Sequence, residues 1–139
     1  MNRALLTIIC MLAPFVTLGQ SPRTNAMTDE MLREKIVGIW AADGICLHGV
    51  ITNTPDGKSF SRQWVAGTNC NVAVTAYLES KWTIKDGVLI DTVTKSSNTN
   101  ITPVGGEYRA RIIHVDDKQL VTLPLGLSPT STNVVRRVK

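Results

Sequence analysis

The chain has 139 residues, 43% of them hydrophobic, 5% aromatic and 19% charged. That is enough apolar material for one domain core and too much for a disordered chain. The formal charge of +4 has no Lys/Arg cluster longer than Arg136-Arg137, which excludes the concentrated basic face of a dedicated nucleic-acid binder.

Met1-Asn2-Arg3 is followed by an uncharged run from Ala4 to Leu18 and then by polar Gly19-Gln20-Ser21-Pro22-Arg23. This order of basic, apolar and polar regions is that of a secretory signal peptide. It is read as residues 1–19, with residue 26 as the alternative end, because Thr17-Leu18-Gly19 and Thr24-Asn25-Ala26 both offer small residues to a peptidase. The run is shorter than the roughly 18 residues a spanning helix needs and contains Pro14, so no transmembrane anchor is expected in the mature chain. Acylation at Cys10 is disfavoured by Ile8-Ile9 where small residues are wanted. The expected location is secreted or periplasmic. Cys46 and Cys70 then enter an oxidising compartment together, where they permit one disulfide, contributing roughly 3 kcal/mol if it forms. Two free buried thiols or a metal pair are the alternatives. Zinc fits poorly, because His48 and His114 have no zinc-ligand spacing.

Residues 20–36 form an N-terminal segment with a short helix from about Asp29 to Lys35, capped by Thr28 and carrying Asp29 and Glu30 in its first turn. Leu32 and Ile36, four apart, give it a narrow apolar stripe that closes one end of a core. From residue 37 to 139 the apolar period becomes that of strands. Trp40, Ile45, Leu47 and Ile51 mark one long first strand with a bend at Asp43-Gly44, and Thr54-Pro55-Asp56-Gly57 is a turn. Phe60, Trp64 and Ala66 form the inward face of the next strand, interrupted by Arg62. Cys70, Val72, Val74, Ala76 and Leu78 share one parity and face inward. Lys85-Asp86-Gly87 joins Trp82-Thr83-Ile84 to Val88-Leu89-Ile90 as a hairpin. Lys95 to Thr102 reads as a loop or a frayed strand end, Tyr108 to Val115 as a strand with His114 on the face of Tyr108 and Ile112, and Asp116 to Gln119 as a turn. Leu120 to Leu123 and Asn133 to Lys139 complete the count. The expected fold is all-β: an antiparallel up-and-down barrel of about seven to eight strands with a short N-terminal helix, closed to remove its edges.

The short helix, Gly38-x-Trp40 opening the first strand, the Trp82-x-Ile84-x-Asp86-Gly87-x-Leu89 hairpin and an arginine in the last strand together resemble a small bacterial lipocalin-like, or calycin, domain. The resemblance implies that Trp40 sits at the closed end of the barrel with an arginine packed across it. Arg136 and Arg137 both qualify, since Val134 and Val138 turn Arg136 inward while Val135 turns Arg137 inward.

No nucleophile elbow, catalytic triad or looped carboxylate series is present, so no catalytic residue, metal or cofactor is expected. Arg62, Trp64 and Tyr108 are the candidate ligand-binding residues, suited to an amphiphile with an acidic head. The expected function is binding of a small apolar or amphiphilic molecule without catalysis. A protein-binding or inhibitor module with a filled barrel, working through the polar loops from Lys95 to Gly106 and from Pro124 to Thr132, is the alternative.

Overall fold

The computed structural model describes residues 26–43, 47–65, 75–126 and 132–139. The expected signal segment, Cys46 and Cys70 lie outside the described residues, as do the expected inward positions Ala66, Val72 and Val74. The described residues form one helix, α1 (Asp29–Ile36), and eight strands: β1 (Gly38–Asp43), β2 (Leu47–Asn53), β3 (Lys58–Val65), β4 (Thr75–Lys85), β5 (Val88–Ser96), β6 (Glu107–Val115), β7 (Gln119–Pro124) and β8 (Asn133–Arg137). Each strand pairs antiparallel with the next, and β8 returns to β1 with Arg137 opposite Trp40 and Arg136 opposite Ala41. The sheet is therefore a closed barrel in sequence order, with its edges removed by closure.

α1 begins where its sequence says it should. Met31 N donates to Thr28 Oγ1 at 3.3 Å, and Leu32 and Ile36 are its buried stripe. They pack with Trp40, Trp82, Ile84, Val115 and Leu120 into the main apolar cluster, so the helix plugs one end of the barrel. Its first residue also pins a hairpin: the Asp29 carboxylate accepts from Asp86 N at 2.8 Å and Gly87 N at 2.9 Å. Asp86 and Gly87 both have positive φ, 54° and 71°, the geometry of a two-residue hairpin turn. Replacing Asp29 with alanine strands two amide donors and is expected to lower unfolding stability by about 1–2 kcal/mol. A urea midpoint equal to wild type would mean that Leu32 and Ile36 dock the helix unaided.

The pairing register identifies the inner face. Trp40 lies opposite Ile51, Ile51 opposite Ser61, and Ser61 opposite Leu78. On β4 to β6 the same face carries Ser80, Trp82, Ile84, Leu89, Asp91, Val93, Tyr108 and Ala110. It continues through Ile112, Leu120, Thr122, Asn133 and Val135 to Arg137. Ala76 and Leu78 face inward as the alternation predicts.

Three expectations are corrected. The single long first strand is a hairpin, β1 and β2, with Asp43 opposite His48. Phe60, Arg62 and Trp64 face outward, because Ser59 and Ser61 sit opposite the inward Asn53 and Ile51, and a strand cannot present both parities to one face. His114 also faces outward: a register shift between Ile112 and His114 passes the inward position to Val115. β5 runs on to Ser96, two residues into the stretch read as a loop or frayed strand end, through a second irregularity opposite Glu79 and Ser80. No helix among the described residues is long and apolar enough to cross a membrane.

Candidate functional site

The closed end is built around Trp40, which is 1% exposed and donates from Nε1 to Ile36 O at 2.8 Å. Arg137, not Arg136, covers it, with the guanidinium carbon 4.2 Å from the ring centroid. Arg137 also donates to Val37 O at 2.9 Å and Lys35 O at 2.6 Å, tying the last strand to the end of the helix. Gly38 makes this approach possible. Its φ is +135°, and a Cβ built there would strike Arg137 Nη1, so the Gly-x-Trp spacing is a clearance requirement. Gly38→Ala is expected to cost about 2 kcal/mol from backbone strain and displacement of the guanidinium. Chemical denaturation reads this directly, and a change below about 0.5 kcal/mol would show that the arginine is not seated against Gly38.

Above this floor the inner face turns small and polar. Gly49, Ala76, Ser80, Ala110 and Thr122 are buried, whereas Ile51, Ser61, Gln63 and Asp91, on the same face, are only half-buried. In an eight-stranded barrel small inward side chains leave more room than large ones, and these four keep some accessible surface, Ser61 in part at a groove on the outer wall. The most unusual group is Asp91. Its Oδ1 is buried with no hydrogen-bond partner among the described residues, and its carboxyl is pushed up to about 6, first because burial withholds water from its charge; the Ser80 hydroxyl pulls the other way. Trp82 and Tyr108 are its direct cross-strand neighbours.

Of the three predicted ligand-binding residues, only Tyr108 is on the inner face. It is at the start of β6, 38% exposed, and its hydroxyl accepts from Asn133 Nδ2 at 3.1 Å. Arg62 and Trp64 belong to the outer wall, where the Arg62 guanidinium lies 5.4 Å from the Trp64 ring and 5.8 Å from that of Tyr77. His48 stacks on Trp64 with centroids 6.0 Å apart. Val50, Phe60, Arg62, Trp64, Tyr77 and the Glu79–Lys95 ion pair of 2.8 Å line an outer groove of about 750 Å³, which Ser61 and Leu78 also reach. The predicted trio is thus split between two surfaces of the sheet. Asp91 and Tyr77 were not singled out from sequence. The signal for Asp91 was present, since the Asp86-Gly87 turn sets Asp91 opposite Trp82.

His114 Nε2 pairs with Asp116 Oδ2 at 2.9 Å on the outside. Asp116 also accepts from Lys118 N and Gln119 N, so His114 and these amides hold its carboxyl well below the usual range. This is turn chemistry. Among the described residues, no group of three or more His, Cys, Asp or Glu gathers to hold a metal ion. No model of a known protein family matches the chain, and no curated protein matches it either.

Proposed function

We propose that this protein is an exported, lipocalin-like barrel, secreted or periplasmic, that holds a small amphiphilic molecule in its interior and performs no catalysis. The observation supporting this reading is the inner face itself. An apolar floor of Trp40, Trp82, Val115 and Leu120 lies beneath small and polar positions, several of which keep accessible surface. An interior with one wet, polar half and one apolar half matches the two ends of an amphiphile.

Titration with Nile red, a neutral dye that brightens in apolar surroundings, tests the reading. One dye per barrel is expected, with affinity reduced at least about tenfold by Gln63→Trp, which enlarges an inward side chain opposite Gly49 and Ala76, and unchanged by Trp64→Ala on the outer wall. The opposite pattern would move the site to the outer groove.

That groove supports a second reading, a protein-binding module. Phe60 and Tyr77 are 43% and 55% exposed and flank Arg62, and aromatic residues with arginine are the side chains enriched at protein interfaces.

A further inference from the structure

We propose that the interior site takes a ligand bearing a protonated amine, which docks its N–H donors on Asp91 while its apolar body lies along the barrel floor. This rests on the interior-site reading above and names the chemistry of its ligand.

The barrel interior contains one carboxylate that its own residues leave incomplete. Asp91 Oδ1 is sealed from solvent and accepts no hydrogen bond from the described residues. Among the described residues, the influences on its ionisation are burial and the Ser80 hydroxyl; no cation acts on it. Two cations at the closed end are held by other groups, although Arg137 Nε is itself buried without a hydrogen-bond partner among the described residues. Arg137 is turned inward but lies on Trp40 and donates to Val37 and Lys35 carbonyls. Arg33 reaches over the Trp82 ring at 5.3 Å and donates to Thr83 Oγ1 at 3.2 Å. A buried carboxylate without a countercharge is costly, and folds retain such groups where a ligand completes them.

The surroundings select the completing group. A carboxylate or phosphate head would be repelled. An alcohol could donate one hydrogen bond but brings no charge. An ammonium brings charge and up to three N–H donors, giving a charge-assisted bond stronger than a neutral one. Asp91 is flanked directly across the strands by Trp82 and Tyr108, and aromatic side chains beside an anion are the usual surroundings of a bound organic cation. The Tyr108 hydroxyl accepts from Asn133 Nδ2, which holds the phenol in place, and among the described residues no donor reaches Asp91 Oδ1. The reading also reverses the sequence-based expectation of an acidic head on Arg62, because Arg62 is on the outer wall.

Competition against Nile red decides the matter, using dodecylamine and dodecanol, which share one chain and differ in the head, on wild type and Asp91→Asn. At pH 7.5 dodecylamine is expected to displace the dye at least about tenfold more tightly than dodecanol. Asp91→Asn should bring the two level while leaving dodecanol unchanged. Amine affinity should also weaken as pH falls below about 6, where a proton competes for Asp91, with dodecanol flat across the same range. Equal affinities in wild type, or an amine preference that survives Asp91→Asn, would overturn the inference while leaving the interior site standing. Failure of wild type to bind Nile red at all would overturn the interior-site reading and this inference with it.

Discussion

Replacing Trp40 with alanine is expected to lower unfolding stability by about 4 kcal/mol, a large fraction of what a domain of this size possesses. The indole is sealed, so its removal leaves a cavity among Ile36, Trp82, Val115 and Leu120. It also strands the Ile36 carbonyl as an acceptor of the indole N–H, although Asn53 Nδ2 still donates there at 3.2 Å. Trp40→Phe keeps the ring face under Arg137 and loses the hydrogen bond, for about 1–2 kcal/mol. Arg137→Met removes the cation, and its cost should not add to that of Trp40→Ala, because the two side chains are in contact and neighbours couple. Arg136→Met, one residue away on the outer face, should stay within about 0.5 kcal/mol of wild type. Urea denaturation of the single and double variants checks all four; equal effects at 136 and 137 would contradict the assignment of Arg137 to the closed end.

The second large effect has the opposite sign: Asp91→Asn should stabilise the ligand-free barrel by about 2 kcal/mol at pH 7. The folded carboxyl is raised from 3.8 to about 6 by burial. Between pH 4 and pH 6 the native state therefore binds more protons than the unfolded chain, and stability falls as pH rises through that window. The contribution is complete below about pH 4 and lost above about pH 6. At about 1.4 kcal/mol per pH unit the ceiling is about 3 kcal/mol, reduced by the solvent that still reaches the side chain. Asparagine keeps the shape without the charge, so its stability should be nearly flat from pH 4 to 7. Asp116 works the other way, since its lowered carboxyl loses its contribution only as pH falls below about 4, outside this range. A wild-type stability that rises from pH 4 to 6 would show that the ionised Asp91 is favoured in the native barrel, and would sink both this prediction and the need for an external cation.

Local chemistry was legible in the sequence wherever a few adjacent residues decide it. Thr28 with Asp29 and Glu30 fixes a helix start, Asp86-Gly87 fixes a hairpin, and the alternation through Ala76 and Leu78 fixes an inward face. What could not be read depends on register between strands far apart in the chain. Phe60, Arg62 and Trp64 alternate as an inward face would, and only the pairing of Ser59 with Asn53 and Ser61 with Ile51 turns them out. The floor already holds Trp40 and Trp82, and on the outer wall Trp64 stacks on His48 and lies against the Arg62 guanidinium. In β8, valines on both parities leave Arg136 and Arg137 equivalent until β8 meets β1. Asp91 was hidden in an apolar run, Val88 to Val93, where a charge reads as a solvent-facing residue; counting across the Asp86-Gly87 turn puts it on the face of Trp82 and Ile84. His114 was displaced by a single-residue irregularity that no composition rule marks.

The claim that the interior is a binding site is tested most directly by native mass spectrometry of the protein purified from its source cells or medium without added ligand, before and after organic extraction. One retained small molecule per barrel, released by extraction and carrying a basic nitrogen, is the expected result. A clean ligand-free mass, unchanged by extraction, would contradict it and leave the outer wall of β2 to β4 as the working surface.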